Sequence, residues 1–199
     1  MEQETVKGLV HIVSSKANKD INLIRKSGEN WYNYFVENKL LSKKNSVLEY
    51  GAGVGRLSIP FNRLAKVTAI DGNPNMVQYL KENGIDAYLS NNCDPVMNRR
   101  FDFAISTYVL QHMHFPNAQN LVKQISQVTD VFYFTYPIIE LGAAETYIYY
   151  KYSYDVDILK SHNVSRKMHL NELPILFETS NFNSNKITSV FSNLFKIEK

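Results

Sequence analysis

Apolar residues along the chain follow two alternating patterns, short continuous runs and runs with a three- to four-residue period. Continuous apolar runs bounded by glycine, aspartate or proline are typical of buried parallel strands. Five such runs occur, at 45–50, 66–71, 85–89, 101–107 and 131–136. The intervening apolar positions fit amphipathic helices. Because strands and helices alternate with short links, the pattern predicts right-handed βαβ crossovers and a parallel sheet with helices on both faces.

The predicted helix after the second strand has the clearest boundaries. Asn73 is suited to cap its N-terminus, Pro74 to its first position and Gly84 to its end. A helix is also predicted to begin near Gly55 and to carry apolar residues as far as Leu64.

Both ends of the chain are predicted to add elements around this core. The first forty residues are predicted to be helical, on apolar positions from Ile21 to Leu40 at three- and four-residue steps. A helix is predicted at 170–180, and the apolar runs within 185–199 predict an antiparallel strand pair. The tyrosine-dense segment 147–154 has no clean period. It is interpreted either as a long connection packed on the sheet or as a lid that excludes water from a substrate.

Composition narrows the class of protein. The chain has 199 residues, 44% hydrophobic and 21% charged, which suits one globular domain. The net charge of +3 is scattered, so a nucleic-acid-binding face is not expected. Cys93 is the single cysteine, and no histidine and cysteine cluster has zinc-ligand spacing. With neither a signal peptide nor an apolar run long enough to span a bilayer, the sequence predicts a soluble cytoplasmic protein and leaves oligomerisation open.

Three glycines at alternate positions, Gly51, Gly53 and Gly55, follow the first predicted strand. A phosphate-binding loop would need a lysine followed by serine or threonine, which is absent here. The dinucleotide fingerprint has a wider last interval, and Glu49 would face a diphosphate unfavourably. The turn instead suits S-adenosylmethionine, which has no phosphate and carries positively charged groups. The negative charge of Glu49 would attract these groups. Asp71 suits the ribose hydroxyls, although NAD proteins place an acidic residue at a similar offset.

Four motifs, in order and spacing, resemble the class I S-adenosylmethionine-dependent methyltransferases: LEYGAGVG, AIDGNPNMVQYL, FDFAISTYVLQHM and FYFTYP. The resemblance covers residues 45–137, and 170–182 resembles a late helix and turn of the same fold. It implies an α/β, Rossmann-like, mostly parallel seven-stranded sheet with helices on both faces and an antiparallel C-terminal strand pair. It also implies a single methyltransferase domain over 1–199, divided into an N-terminal helical cap (1–44), a cofactor-binding core (45–137), a variable substrate lid (138–169) and a C-terminal helix with closing strands (170–199).

The resemblance further implies which residues bind S-adenosylmethionine. The glycine turn would lie against the methionyl and ribose parts, Asp71 would bind the ribose, and Met76 would lie near the adenine. The segment SNNCDPV, which includes Asp94, would contact the adenine edge. The expected cofactor-binding residues are Glu49, Gly51, Ala52, Gly53, Gly55, Arg56, Asp71, Gly72, Asn73, Met76, Asn91, Asn92, Cys93, Ser106 and Tyr108.

Methyl transfer needs an aligned nucleophile, and a base only where the acceptor proton is hard to lose. In the family the end of the fourth strand faces the methyl group, which makes His112 the candidate catalytic base. The alternative is a structural role, in which His112 caps or packs in a helix that abuts the cofactor. No metal is expected.

Three functions are weighed against one another. The first is an enzyme that methylates oxygen or nitrogen of a small molecule, with sugars and secondary metabolites among the candidate acceptors. The second is a non-catalytic S-adenosylmethionine-binding accessory subunit, and the third a nicotinamide-dependent oxidoreductase, which the glycine spacing disfavours. A DNA-base substrate is not expected, because the fourth strand lacks the Asn/Asp-Pro-Pro-aromatic stretch of such enzymes.

Overall fold

The computed structural model describes residues 21–136, 170–191 and 194–199. The chain divides into two compact units, residues 1–101 and 102–199. The predicted lid at 138–169, with its tyrosine-dense segment, lies outside the described residues. The seven strands that the structure describes form one sheet in the order β3-β2-β1-β4-β5-β7-β6, numbered along the chain.

The first unit alternates strands and helices, as predicted. Its elements are α1 (Ile21–Glu37), β1 (Ser46–Tyr50), α2 (Ser58–Phe61), β2 (Lys66–Asp71), α3 (Pro74–Glu82), β3 (Asp86–Leu89) and α4 (Asp94–Met97), with a 3-10 turn at Ser90–Asn92.

Strand β1 pairs in parallel with β2, and β2 pairs in parallel with β3. Tyr50 pairs with Ile70, and Asp71 with Leu89. The carboxyl ends of the three strands therefore meet at one edge, which is where ligands bind in open α/β sheets. The glycine turn leaves the sheet at this edge, directly after Tyr50.

The second unit contains the remaining strands. Its elements are β4 (Phe103–Ser106), α5 (Phe115–Val128), β5 (Val131–Thr135), β6 (Thr188–Phe191) and β7 (Leu194–Glu198), with 3-10 segments at Leu110–His112, Leu170–Phe177 and Ser184–Lys186. Strands β4 and β5 are parallel, while β7 is antiparallel to both β5 and β6. The predicted mostly parallel sheet with an antiparallel C-terminal pair is thus confirmed.

Aromatic rings form much of the core of the second unit. Phe134 packs against Phe177 and Phe195 with ring centroids 5.0 and 5.6 Å apart, and Phe132 packs on Phe182 at 6.0 Å. Such pairs stabilise a core beyond the apolar area that they bury. Aromatic residues make up 13% of the chain, and part of this content therefore serves packing.

Two predicted helices differ from those observed. The helix expected from Gly55 begins only at Ser58, because the three glycines take left-handed backbone angles and extend the turn as far as Gly55. The helix expected at 170–180 is a 3-10 segment that ends at Phe177, and it contains Pro174, which lacks the N–H needed to continue an α-helix.

The other predicted boundaries are close to those observed. The Asn73 side chain accepts a hydrogen bond from the backbone N–H of Asn75 at 2.9 Å and caps α3, as predicted. Helix α1 ends before Leu40: Lys39 adopts a φ of 58°, and the N–H of Leu40 donates to the carbonyl of Phe35 at 2.8 Å. This is a Schellman turn, which ends a helix by satisfying its last carbonyl groups.

Candidate cofactor and active site

The glycine turn has a backbone that suits glycine at each of its three predicted positions. Gly51, Gly53 and Gly55 have φ values of 78°, 54° and 74°. These angles place a Cβ atom close to a neighbouring carbonyl, so other residues adopt them at a cost of about 1–2 kcal/mol each. The N–H groups of Gly51 and Ala52 donate to the carbonyl of Ile70, at 2.7 and 3.2 Å, and hold the turn against the end of β2.

Asp71 joins the glycine turn to the start of α3. Its Oδ2 accepts the N–H of Gly53 and its Oδ1 accepts the N–H of Asn73, each at 2.8 Å. Each carboxylate oxygen has a second lone pair, so both oxygens keep the capacity to accept a hydroxyl proton. The structure therefore brings together Asp71, Gly53 and Asn73, three of the predicted cofactor-binding residues, and gives the carboxylate a second role in fixing the turn.

Glu49 lies beneath the turn and is only 2% exposed. Burial raises its pKa to about 7, against the lowering effects of the hydrogen bond donated by the Ser58 hydroxyl and of the charge of Arg56. Near neutral pH the side chain therefore exchanges between the acid and the carboxylate. A cationic ligand group nearby would favour the carboxylate.

A second group of side chains lies at the ends of β1 and β3. The Tyr50 hydroxyl hydrogen-bonds with the side chain of Ser90, and burial, followed by the nearby Cys93, raises the pKa of Tyr50. The thiol of Cys93 donates to the carbonyl of Ser90 at 3.1 Å, and its own pKa is raised by burial and by Asp94. Tyr50 was not predicted as a site residue, although its place between Glu49 and the first glycine of the turn was a usable signal.

The other residues expected at the adenine end differ in exposure. Asn91 and Asn92 are exposed and lie in the 3-10 turn that follows β3. Met76 is only 1% exposed and packs with Val54 and Tyr79 in a hydrophobic cluster. Gly72 lies beside Ser90, since a Cβ atom there would be 3.6 Å from the serine Oγ. The contacts of these residues with adenine stay predictions.

In the second unit, the end of β4 contains a residue in an unusual conformation. Tyr108 has a φ of 60° although it is not a glycine, and it is 47% exposed. Its N–H donates to the hydroxyl of Thr135, at the end of β5, at 2.6 Å. Ser106 is fully buried in β4, so Tyr108 is the more accessible of these two predicted cofactor-binding residues. Left-handed backbone at a non-glycine residue is concentrated at functional sites.

His112 ends the 3-10 turn that follows β4, and its N–H donates to the carbonyl of Val109 at 2.9 Å. The residue is exposed, while burial of part of its ring lowers its pKa. A lowered pKa leaves the imidazole neutral at pH 7, the form that accepts a proton. The role of His112 as a base stays a prediction.

Two classes of site are absent from the described parts of the chain. Over residues 21–136, 170–191 and 194–199, no three histidine, cysteine, aspartate or glutamate side chains are grouped so that they would hold a metal ion. Within the same ranges, no helix is long and apolar enough to cross a membrane.

Residues 47–130 match the family model described as a methyltransferase domain. The match begins within β1 and includes the glycine turn, Asp71 and the end of β4. Over these residues the chain matches a methyltransferase domain, in agreement with the methyltransferase that the sequence motifs predicted.

Several solved structures share this fold, among them two named as methyltransferases. Magnesium protoporphyrin IX methyltransferase from Synechocystis PCC 6803, with bound S-adenosylhomocysteine, is 16% identical with a TM-score of 0.60, covering 93% of this chain and 87% of that one. Human N-acetylserotonin methyltransferase, in complex with S-adenosylmethionine, is 16% identical with a TM-score of 0.60. The match covers 91% of this chain and 56% of that one. The pyocyanin biosynthetic protein PhzM also has the fold and is 12% identical with a TM-score of 0.57. The match covers 85% of this chain and 54% of that one. No curated protein sequence matches the chain.

Proposed function

We propose that this methyltransferase transfers the methyl group of S-adenosylmethionine to an oxygen or nitrogen of a small-molecule acceptor. The observation that carries the proposal is the Asp71 carboxylate, which joins the glycine turn to the start of α3 through two 2.8 Å hydrogen bonds. A single side chain thus fixes the turn and keeps lone pairs for a ribose.

The residues of the first unit fit the chemistry of S-adenosylmethionine. Asp71 would accept hydrogen bonds from the ribose hydroxyls, and the glycine turn would leave room for the ligand because it has no side chain at Gly53. Glu49 would stabilise the cationic methionyl end in its carboxylate form. Tyr50, with Asn91 and Asn92, would border the adenine.

The residues at the end of β4 would act on the acceptor side. S-adenosylmethionine supplies an electrophilic methyl group, so the chain has to position the acceptor and exclude water. Tyr108 would contact either the cofactor or the acceptor with its exposed ring. His112 would take the proton of a hydroxyl acceptor, a step for which its neutral form is required.

Small molecules are the proposed acceptor class because several neighbours of the same fold are named for such compounds. A porphyrin and an N-acetylserotonin appear in the names of two of them. The dispersed charge of this chain, 22 basic against 19 acidic residues, also supports a small acceptor over nucleic acid.

The proposal is tested by incubating the protein with S-adenosylmethionine carrying an isotopically labelled methyl group and a panel of hydroxyl, amine and phenol acceptors. Mass spectrometry would detect label in a small-molecule product together with S-adenosylhomocysteine. Asp71→Ala is the matched inactive variant. Binding of the cofactor without label transfer to any acceptor class would instead favour a non-catalytic binding subunit.

A further inference from the structure

Helix α1 makes a main-chain contact with the residue that follows the glycine turn. Gly28 is buried in α1, and a Cβ atom at this position would lie 2.0 Å from the carbonyl oxygen of Arg56 and 3.1 Å from its carbonyl carbon. A real Cβ atom does not come within 3.0 Å of such an atom. Glycine is therefore the residue that allows the two backbones to approach this closely.

The helix itself gains nothing from this glycine. In a helix interior glycine is about 1 kcal/mol less favourable than alanine, because it loses more backbone entropy on folding. Gly28 is not among the glycines with positive φ, so no left-handed turn requires it. The contact with Arg56 is the feature that accounts for glycine at this position.

Side chains attach α1 to the same segment of the first unit. The guanidinium of Arg56 lies over the ring of Trp31, 5.8 Å from its centroid. Phe35 packs on Phe61 of α2 with ring centroids 5.1 Å apart, and both residues are almost completely buried. Helix α1 is thus held against both ends of the segment 56–61.

The main chain at Gly55 is closely packed against side chains of the first unit. A Cβ atom there would lie 2.8 Å from the side chain of Ile59 and 2.9 Å from that of Leu80. The N–H of Gly55 also donates to the carbonyl of Ala52 at 3.0 Å. A displacement of Arg56 would therefore be transmitted to the glycine turn.

We propose that Gly28 is a positioning residue for the cofactor site, which lets α1 dock on Arg56 and thereby holds the glycine turn in its cofactor-binding conformation. The inference rests on the proposed function, since it requires that the turn binds the cofactor. Coupling between two binding equilibria is reciprocal, so cofactor binding also stabilises the docked position of α1.

The first test measures the affinity of Gly28→Ala for S-adenosylhomocysteine by calorimetry, well below the melting temperature. We expect binding weakened by about tenfold or more, within the usual range of coupling between linked sites. The control is Asn30→Ala, which places alanine at an exposed position of the same helix and should bind as wild type does. Wild-type affinity in folded Gly28→Ala would overturn the inference.

The second test needs no variant, so it tests the coupling between α1 and the glycine turn even if Gly28→Ala fails to fold. Hydrogen exchange of the wild-type protein is followed with and without S-adenosylhomocysteine. We expect exchange of the α1 amides to slow together with exchange of the turn amides. Slower exchange confined to the turn would overturn the inference, whereas an absence of any binding to the wild type would contradict the proposed function itself.

Discussion

Asp71→Asn is the substitution that tests the candidate site most sharply. Asparagine keeps the shape of the side chain but replaces one oxygen by an NH2 group. The two carboxylate oxygens accept from Gly53 and from Asn73 at 2.8 Å each, so one backbone donor loses its acceptor and faces another donor. The uncharged side chain would also bind ribose hydroxyls less strongly.

The expected loss of cofactor affinity is set by the hydrogen bond to the charged carboxylate that Asp71→Asn removes. A hydrogen bond to a charged group contributes about 1.5–3 kcal/mol, which corresponds to about a 10- to 150-fold change in a dissociation constant. We therefore expect affinity for S-adenosylhomocysteine to fall by this factor. The fold should persist, because Asp71 lies at the end of β2 and is not fully buried.

Calorimetric titration with S-adenosylhomocysteine provides the measurement, and circular dichroism verifies the fold. Asp86→Asn is the matched control. Asp86 begins β3 and pairs with Arg99 at 2.9 Å, both side chains being well exposed, so its loss costs at most about 1 kcal/mol of stability and leaves cofactor affinity unchanged. Wild-type affinity in folded Asp71→Asn would refute the argument that this carboxylate forms the ribose site.

Substitutions at three other positions test separate features of the site. Because the pKa of buried Glu49 is raised from 4.5 to about 7, the folded protein binds a proton more tightly than the unfolded chain, and this group's contribution to stability falls as pH rises from about 4.5 to 7. Thermal unfolding should thus show Glu49→Gln gaining stability relative to wild type between pH 5 and pH 8, and equal shifts at both pH values would contradict the argument. At Tyr108, where φ is 60°, the glycine variant should be more stable than the alanine variant by about 1 kcal/mol in denaturant unfolding; the opposite order would argue against the left-handed conformation. If His112 is the base for a hydroxyl acceptor, His112→Gln should lower turnover by about 10²–10⁴ with cofactor affinity retained, and loss of both would indicate a structural role.

Sequence alone predicted the parts of the site that depend on local patterns. The alternate glycines, the strand that ends at Asp71 and the Asn73-Pro74 helix start each follow from residues close together in the chain. The mostly parallel sheet also followed, because alternating strands and helices admit few sheet topologies.

What the sequence did not predict depends on residues far apart in the chain. Gly28 looks like a mild defect in a helix until Arg56 is found against it. Glu49 is buried beside Ser58, and its raised pKa follows from that burial. Tyr108 is held in its conformation with the help of Thr135, 27 positions later. Each of these features depends on tertiary contacts that periodicity and local propensity do not encode.

Calorimetry of the wild-type protein is the direct test of whether the glycine turn and Asp71 bind S-adenosylmethionine. S-adenosylmethionine, S-adenosylhomocysteine and NAD are titrated separately under the same conditions. We expect saturable binding of one molecule of S-adenosylmethionine or S-adenosylhomocysteine per chain, and no binding of NAD, because the turn has the wrong glycine spacing and a buried acid at Glu49. Binding of NAD without binding of S-adenosylmethionine or S-adenosylhomocysteine would contradict the proposed cofactor site.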